Sequence, residues 1–326
     1  MLLRKVHNND ITAFILLPLF LIVFWLKSLQ HVYIPEMYGD VTPMPLWGFV
    51  LSVIKGNRFA ASAIVMLMAL IAAMGVNRFT NRYKLIQKMT LLPGVVYIML
   101  VSGLTTVQYI QPVWFFVPML LLSLEKLFNA SGKYKPMPWC FEAGFWFSAG
   151  TLFFAKGMVL YIFILLAMFI LRVFNLRTVL ASLFGILLPY LFAFGYYFAT
   201  DKLPAFLDML HVNFVSPVAF FSRTVYSTIY LAVMVFFVIL SLINVARQMP
   251  TFKIITRKHY RIFNWLVILS LLAAMTPFYS VEMIPVISIG SSIVIAYFLD
   301  TTQRNYLKEL YFTILIVVTI LAQIYM

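Results

Sequence analysis

Arg78-Phe-Thr-Asn-Arg-Tyr-Lys-Leu-Ile-Gln-Lys88 separates two apolar runs, residues 59–76 and 89–107, and carries four basic residues with no acidic one. The same pairing of long apolar run and basic gap recurs along the chain. Lys126, Lys133 and Lys135 fill one gap, Arg172 and Arg177 another, Arg247, Lys253, Arg257, Lys258 and Arg261 a third, and Arg304 and Lys308 a fourth. With Arg4 and Lys5 ahead of the first run, these account for 18 of the 24 basic residues. They fall in every second gap. Basic loops are retained on the cytoplasmic side during insertion, so this alternation is the signature of a chain threaded repeatedly through a bilayer.

Composition supports the same reading. Of 326 residues, 63% are hydrophobic and 10% are charged. Soluble domains run nearer 45–50% and about 25%. A water-soluble fold cannot cover that much apolar surface, so lipid has to. The net charge of +14 does not imply a nucleic-acid partner, because the basic residues flank apolar runs and form no continuous stripe or aromatic-basic module. Anionic membrane lipids are the partners such flanking charges suit.

A spanning helix needs roughly 20 apolar residues, which divides the chain into about eleven segments: residues 11–29, 59–76, 89–107, 113–127, 139–155, 158–171, 178–198, 224–245, 262–278, 285–299 and 310–326. The expected fold is an all-α polytopic transmembrane bundle with the N-terminus inside, and an odd number of spans places the C-terminus outside. Very tight turns at 108–112 and 156–157 leave a re-entrant element open at the segments they join. Residues 11–29 follow Arg4 and Lys5, exceed a signal-peptide core in length, and read as a retained first span. No soluble domain fits: residues 1–326 form one integral membrane domain with longer external loops at 30–58 and 199–223. In the first of these, residues 45–54 are too short to span and suit a helix lying in the outer interface with Trp47 as its headgroup anchor. The second is similarly amphipathic.

The chemistry-bearing residues are few. Five of the ten acids fall in external segments: Glu36, Asp40, Asp201, Asp208 and Glu282. Glu36 and Asp40 sit in Tyr33-Ile-Pro-Glu-Met-Tyr-Gly-Asp40, directly after the first span. A carboxylate at the membrane surface accepts a proton from a hydroxyl or ligates a divalent cation, and a solvated loop acid is the bland alternative. Lys55, Arg58, Lys156, Lys202 and Arg223 run against the charge bias. Lys156, in Phe153-Phe-Ala-Lys-Gly157, is placed to hold a lipid-linked phosphate as a point charge; the alternative is snorkelling to headgroups. Arg58 and Arg223 admit the same two readings. Glu142 suits an ion pair with a neighbouring basic loop. One cysteine, Cys140, permits no intrachain disulfide, and the four scattered histidines make no metal motif. The sequence calls for no cofactor beyond an optional divalent cation. It contains no Gly-x-x-x-x-Gly-Lys-Ser/Thr loop, no chain of intramembrane acids and histidines, and no matched pair of broken spans.

The stretch Phe141-Glu-Ala-Gly-Phe-Trp-Phe-Ser-Ala-Gly-Thr-Leu-Phe-Phe-Ala-Lys-Gly157, the pair Arg172 and Arg177, and Leu183-Phe-Gly-Ile-Leu-Leu-Pro-Tyr190 together resemble the central membrane region of the C-type (GT-C) glycosyltransferases. They resemble more closely an uncharacterised family of inner-membrane proteins from Bacteroidota. Leu91-Leu-Pro-Gly-Val-Val-Tyr97 fits both, and the likeness covers residues 29–197 in short, degenerate motifs. It implies a multi-pass protein of the cell inner membrane that moves a sugar from a polyprenyl-phosphate donor at the outer face. It also implies that Asp40 or Glu36 serves as base or metal ligand and that Lys156, with Arg58 and Arg223, contacts the donor phosphate. The chain lacks the adjacent acidic pair and the extra soluble domain of that family. The alternatives are a non-catalytic subunit of an envelope assembly and a lipid or small-solute transporter.

Overall fold

A computed structural model describes residues 11–30, 42–54, 56–87, 89–215, 225–275, 281–302 and 304–325. Among these residues the structure is all-helical, with thirteen α-helices and no strand. They are α1 (Ile11–Gln30), α2 (Pro45–Ile54), α3 (Arg58–Arg82), α4 (Leu92–Ser102), α5 (Val113–Ala130), α6 (Met137–Thr151), α7 (Tyr161–Leu171), α8 (Leu176–Ala199), α9 (Leu203–Val215), α10 (Val225–Gln248), α11 (Ile254–Ala274), α12 (Ile284–Thr301) and α13 (Asn305–Tyr325). Six helical stretches are long and apolar enough to cross a membrane: Arg58–Arg82, Val113–Ala130, Leu176–Ala199, Val225–Thr251, Ile284–Thr301 and Tyr306–Tyr325.

The bundle is organised around a short apolar helix, α4. Every residue of α4 is buried. Eleven residues rise only about 16 Å, roughly half the hydrocarbon core, so α4 does not cross on its own. It sits inside the protein, packed by α1, α3, α12 and α13. An apolar run inside protein must still satisfy its terminal amides, and the sequence supplies the groups. Asn77 of α3 accepts from Gly94 N at 3.0 Å, Asn81 accepts from Thr90 N at 3.3 Å, and Thr90 Oγ1 accepts from Leu92 N at 3.1 Å. Gly94 is required there, because a Cβ would stand 2.9 Å from Ala73 O.

A second layer runs α5, α6, α8, each packed on the next. Its contacts follow membrane rather than aqueous rules. Water provides no drive for helix association inside lipid, so backbones approach through small residues and hydroxyls bridge them. A Cβ on Gly144 would lie 2.1 Å from Ser182 O, and one on Gly185 would lie 2.1 Å from Phe141 O. Ser148 Oγ donates to Ile186 O at 2.7 Å and Ser123 Oγ to Ala143 O at 2.8 Å. The outward faces are conversely apolar: Phe192 of α8 is 69% exposed and Phe236 of α10 is 57% exposed. Such a surface is adverse in water and suits acyl chains.

The basic gaps meet at one end. Arg82 pairs with Glu125, whose carboxylate also lies 3.7 Å from Arg78 Nη2. Tyr83 OH donates to Asn129 Oδ1 at 3.0 Å, Lys258 Nζ to Leu171 O at 3.3 Å, and Tyr260 OH to Leu85 O at 2.9 Å. Lys126 pairs with Glu142, the structural role that the sequence suggested for this acid. The opposite end is tied together by uncharged groups. Trp25 Nε1 donates to Ser102 Oγ at 2.8 Å, Gln323 Nε2 to Ser102 O at 2.7 Å, and Asn213 Nδ2 to Thr42 O at 2.8 Å.

The turn between α7 and α8 shows how local sequence sets these joints. Arg172 ends α7 in the left-handed region (φ 63°), and Asn175 caps α8 through a capping box with Thr178. Replacing Asn175 with Ala removes the acceptor for Thr178 N and is expected to cost about 1 kcal/mol, read as a lower unfolding midpoint in detergent with the helical content unchanged.

One expectation is corrected. Residues 45–54 do form a separate helix, α2, but Trp47 is buried, with its ring centroid 6.0 Å from that of Phe115. Phe49 and Val53 are the exposed side chains instead. The indole turns inward because α5 presents an aromatic surface to it, which the residue spacing of α2 alone does not reveal.

Candidate functional site

The end opposite the basic loops gathers two features. The first is an apolar groove of about 790 Å³ between α2, α6, α8 and α9, with Pro43, Phe49, Leu152, Phe192, Tyr196 and Met209 among its walls. Leu46 N donates to Leu152 O at 3.3 Å, which fixes the entry of α2 against the exit of α6. Tyr197 stacks on Phe206 at 4.9 Å and holds α9 to α8. The groove is mostly apolar, and the 3-10 turn Ala155–Leu160, which is not part of its lining, packs against two of its walls, α6 and α9.

That turn carries Lys156, which is only 4% exposed. The backbone closes tightly beneath it. Gly157 N donates to Phe154 O at 3.0 Å, and a Cβ on Gly157 would fall 2.8 Å from the Phe116 ring. Lysine is rarely this buried unless it is paired. Arg58, by contrast, is exposed at the start of α3. Glu36, Asp40 and Arg223 lie outside the described residues. Thr42, two positions after Asp40 in the sequence, is held by Asn213 of α9, and Pro43 begins the groove wall.

The second feature is polar and was not singled out by sequence. The turn after α4, Thr105–Gln108, packs against the turn Val281–Met283 that precedes α12. Gln108, Gln111 and Glu282 are all buried here. Gln108 Nε2 donates to Ser102 O at 2.7 Å and Gln111 Nε2 to Thr106 O at 2.9 Å. Both amide oxygens then stand buried with no hydrogen-bond partner among the described residues. The cluster is therefore rich in acceptors and suits a hydrogen-bond donor. The signal available in the sequence was the polar string Thr105-Thr-Val-Gln-Tyr-Ile-Gln111 between apolar runs.

The first turn of α5 separates the two features. Trp114 Nε1 donates to Val107 O at 2.9 Å on the polar side, while Phe116 meets Phe154 at 6.0 Å on the Lys156 side. Among the described residues no group of three or more His, Cys, Asp or Glu is placed to hold a metal ion. Comparison with known proteins returns no match: no family model, no curated protein and no solved structure aligns with this chain.

Proposed function

We propose that this chain is a multi-pass inner-membrane transferase with a GT-C-like arrangement of about eleven membrane segments, counting the shorter apolar helices with those long enough to span. It moves a sugar from a polyprenyl-phosphate donor at the outer face. The observation that carries the reading is the buried Lys156 turn beside a mostly apolar groove at the end away from the basic loops. The charge bias makes that end the outer one. A long isoprenoid fits the groove between α2, α6, α8 and α9, and an ammonium at its side neutralises the phosphate that leaves as the glycosidic bond forms. Asp40 takes the proton of the attacking acceptor hydroxyl. The chain needs no soluble domain for this, because both donor and reaction stay at the membrane surface.

The test is transfer of radiolabelled glucose, mannose or arabinose from polyprenyl phosphate by purified protein in nanodiscs. Lys156→Gln keeps a polar side chain, shorter by one bond, and removes its charge. It is expected to lower kcat/KM for the donor about 100-fold, while Lys156→Arg retains part of the activity. Ala193→Trp, which fills the groove, is expected to raise KM for long-chain donors more than for short-chain ones. Activity that falls only in proportion to folded protein in the Lys156 variants, with no chain-length effect in Ala193→Trp, refutes the reading.

A further inference from the structure

The basic end holds a cavity of about 880 Å³ between the C-terminal turn of α3, the α10–α11 junction and the end of α12. Arg82, Lys84 and Lys253 line it, with Asp300 as the opposing charge, and Tyr83, Phe252 and Tyr297 form aromatic walls. Arg82 is engaged by Glu125, so Lys84 and Lys253 carry the remaining positive field. Lys84 takes a left-handed backbone (φ 48°) just past the end of α3, where Leu85 N donates to Thr80 O at 3.0 Å in a common helix-ending turn, and Leu85 O accepts from Tyr260 OH at 2.9 Å.

His259 forms the floor. It is 3% exposed, stacked on Phe128 at 4.1 Å, and set edge-on to Tyr83 at 5.2 Å. Its Nδ1 is buried with no hydrogen-bond partner among the described residues, and the residue lines the cavity. A buried polar atom left without a protein partner asks for a ligand or water. The first two turns of α11 lie before its apolar stretch, and burial, helped by the neighbouring Lys258 charge, holds the His259 imidazole down to about 4. The ring is thus neutral at physiological pH and offers one N–H donor.

We propose that this cavity binds a phosphate-bearing organic anion, with Lys84 and Lys253 on the phosphate, His259 as a hydrogen-bonding floor, and the aromatic walls against the rest of the molecule. The volume falls within the 300–1,000 Å³ of small-molecule pockets and is far larger than an inorganic anion needs. Basic side chains in the adjoining gaps would draw anions in general. What sets this place apart is a half-open cavity with aromatic walls, two exposed lysines at its rim and a buried nitrogen in its floor. The site lies at the end opposite the Lys156 groove and does not depend on the sugar-transfer reading.

Two sources carry the same chemistry, an inner-leaflet anionic phospholipid and a soluble phosphate ester. Full-length protein is titrated in neutral detergent with dioleoylphosphatidylglycerol and, separately, with glycerol 3-phosphate, and bound ligand is counted by native mass spectrometry. Lys84→Gln/Lys253→Gln is expected to weaken binding at least tenfold, and His259→Phe, which preserves the stack on Phe128, to weaken it severalfold. Lys133→Gln/Lys135→Gln, an exposed basic pair outside the cavity, is expected to leave it unchanged. Loss confined to the lipid titration identifies a headgroup site, and loss in the glycerol 3-phosphate titration identifies a soluble ligand. Equal affinity in all four proteins, or no binding of either probe, overturns the proposal.

Discussion

Gly144→Leu is expected to abolish the folded protein, and Gly185→Leu to do the same. The two glycines sit where α6 and α8 cross, each facing a main-chain oxygen of the other helix 2.1 Å from where a Cβ would stand. No rotamer relieves such a contact, because the obstacle is backbone on both sides. The helices must separate. Separation breaks Ser148 to Ile186 O at 2.7 Å and Thr151 to Tyr190 at 3.0 Å. Overpacking alone costs typically 1–3 kcal/mol, and each lost interhelical hydrogen bond adds about 0.6 kcal/mol in a membrane setting. Together these are a large part of the stability of an ordinary domain. Gly195→Leu is the control: it lies on the same α8, and nothing stands within 4 Å of its Cβ position. Thermal size-exclusion in detergent checks the result. A Gly144→Leu protein as stable as the Gly195→Leu protein would mean that α6 and α8 do not cross as described.

Asp40→Asn is expected to reduce sugar transfer by roughly 10²–10⁴-fold with the folded fraction unchanged. The substitution preserves size and hydrogen bonding and removes only the capacity to take a proton. It therefore separates a transferase from a non-catalytic envelope subunit, in which a neutral amide at this position would leave function intact. Glu36→Gln serves as the comparison, since the two acids lie four positions apart in the sequence. If Glu36→Gln carries the loss instead, the base is reassigned within the same mechanism. If neither variant changes a rate measured in wild-type protein, acid-base chemistry in this loop is excluded. A wild-type protein that moves lipid or solute across proteoliposomes without sugar transfer points to the transporter alternative.

Much of the architecture was readable from residue type alone, because the rules that expose it are local. Hydropathy over about 20 residues and the placement of lysine and arginine act while the chain is being inserted, before tertiary contacts exist. That is why the 59–76 and 178–198 runs reappear within the long helices α3 and α8, and residues 225–245 of the third run within α10. The same rules do not resolve residues 89–107, where hydropathy does not distinguish lipid from protein interior. Only 92–102 are α-helical, and that helix is enclosed by its neighbours. They also misplace Trp47, since a headgroup anchor and a core indole have the same local sequence.

The site divides along the same line. Lys156 stood out because it defied the charge bias, yet its burial depends on α9 and on Phe116, one of them some fifty positions away. Gln108, Gln111 and Glu282 attracted no joint reading, because the two turns that carry them are distant in sequence and meet only when α4 and α12 pack. His259 looked like one of four unrelated histidines until the α3 turn closed over it. The amino-acid sequence by itself determined that this chain is a helical membrane protein with its cations gathered in alternate loops, since partitioning into lipid is decided segment by segment. The tertiary structure alone decided which polar side chains are enclosed together and where cavities remain, because a buried lysine, histidine or glutamine is defined by what packs around it and not by its neighbours along the chain.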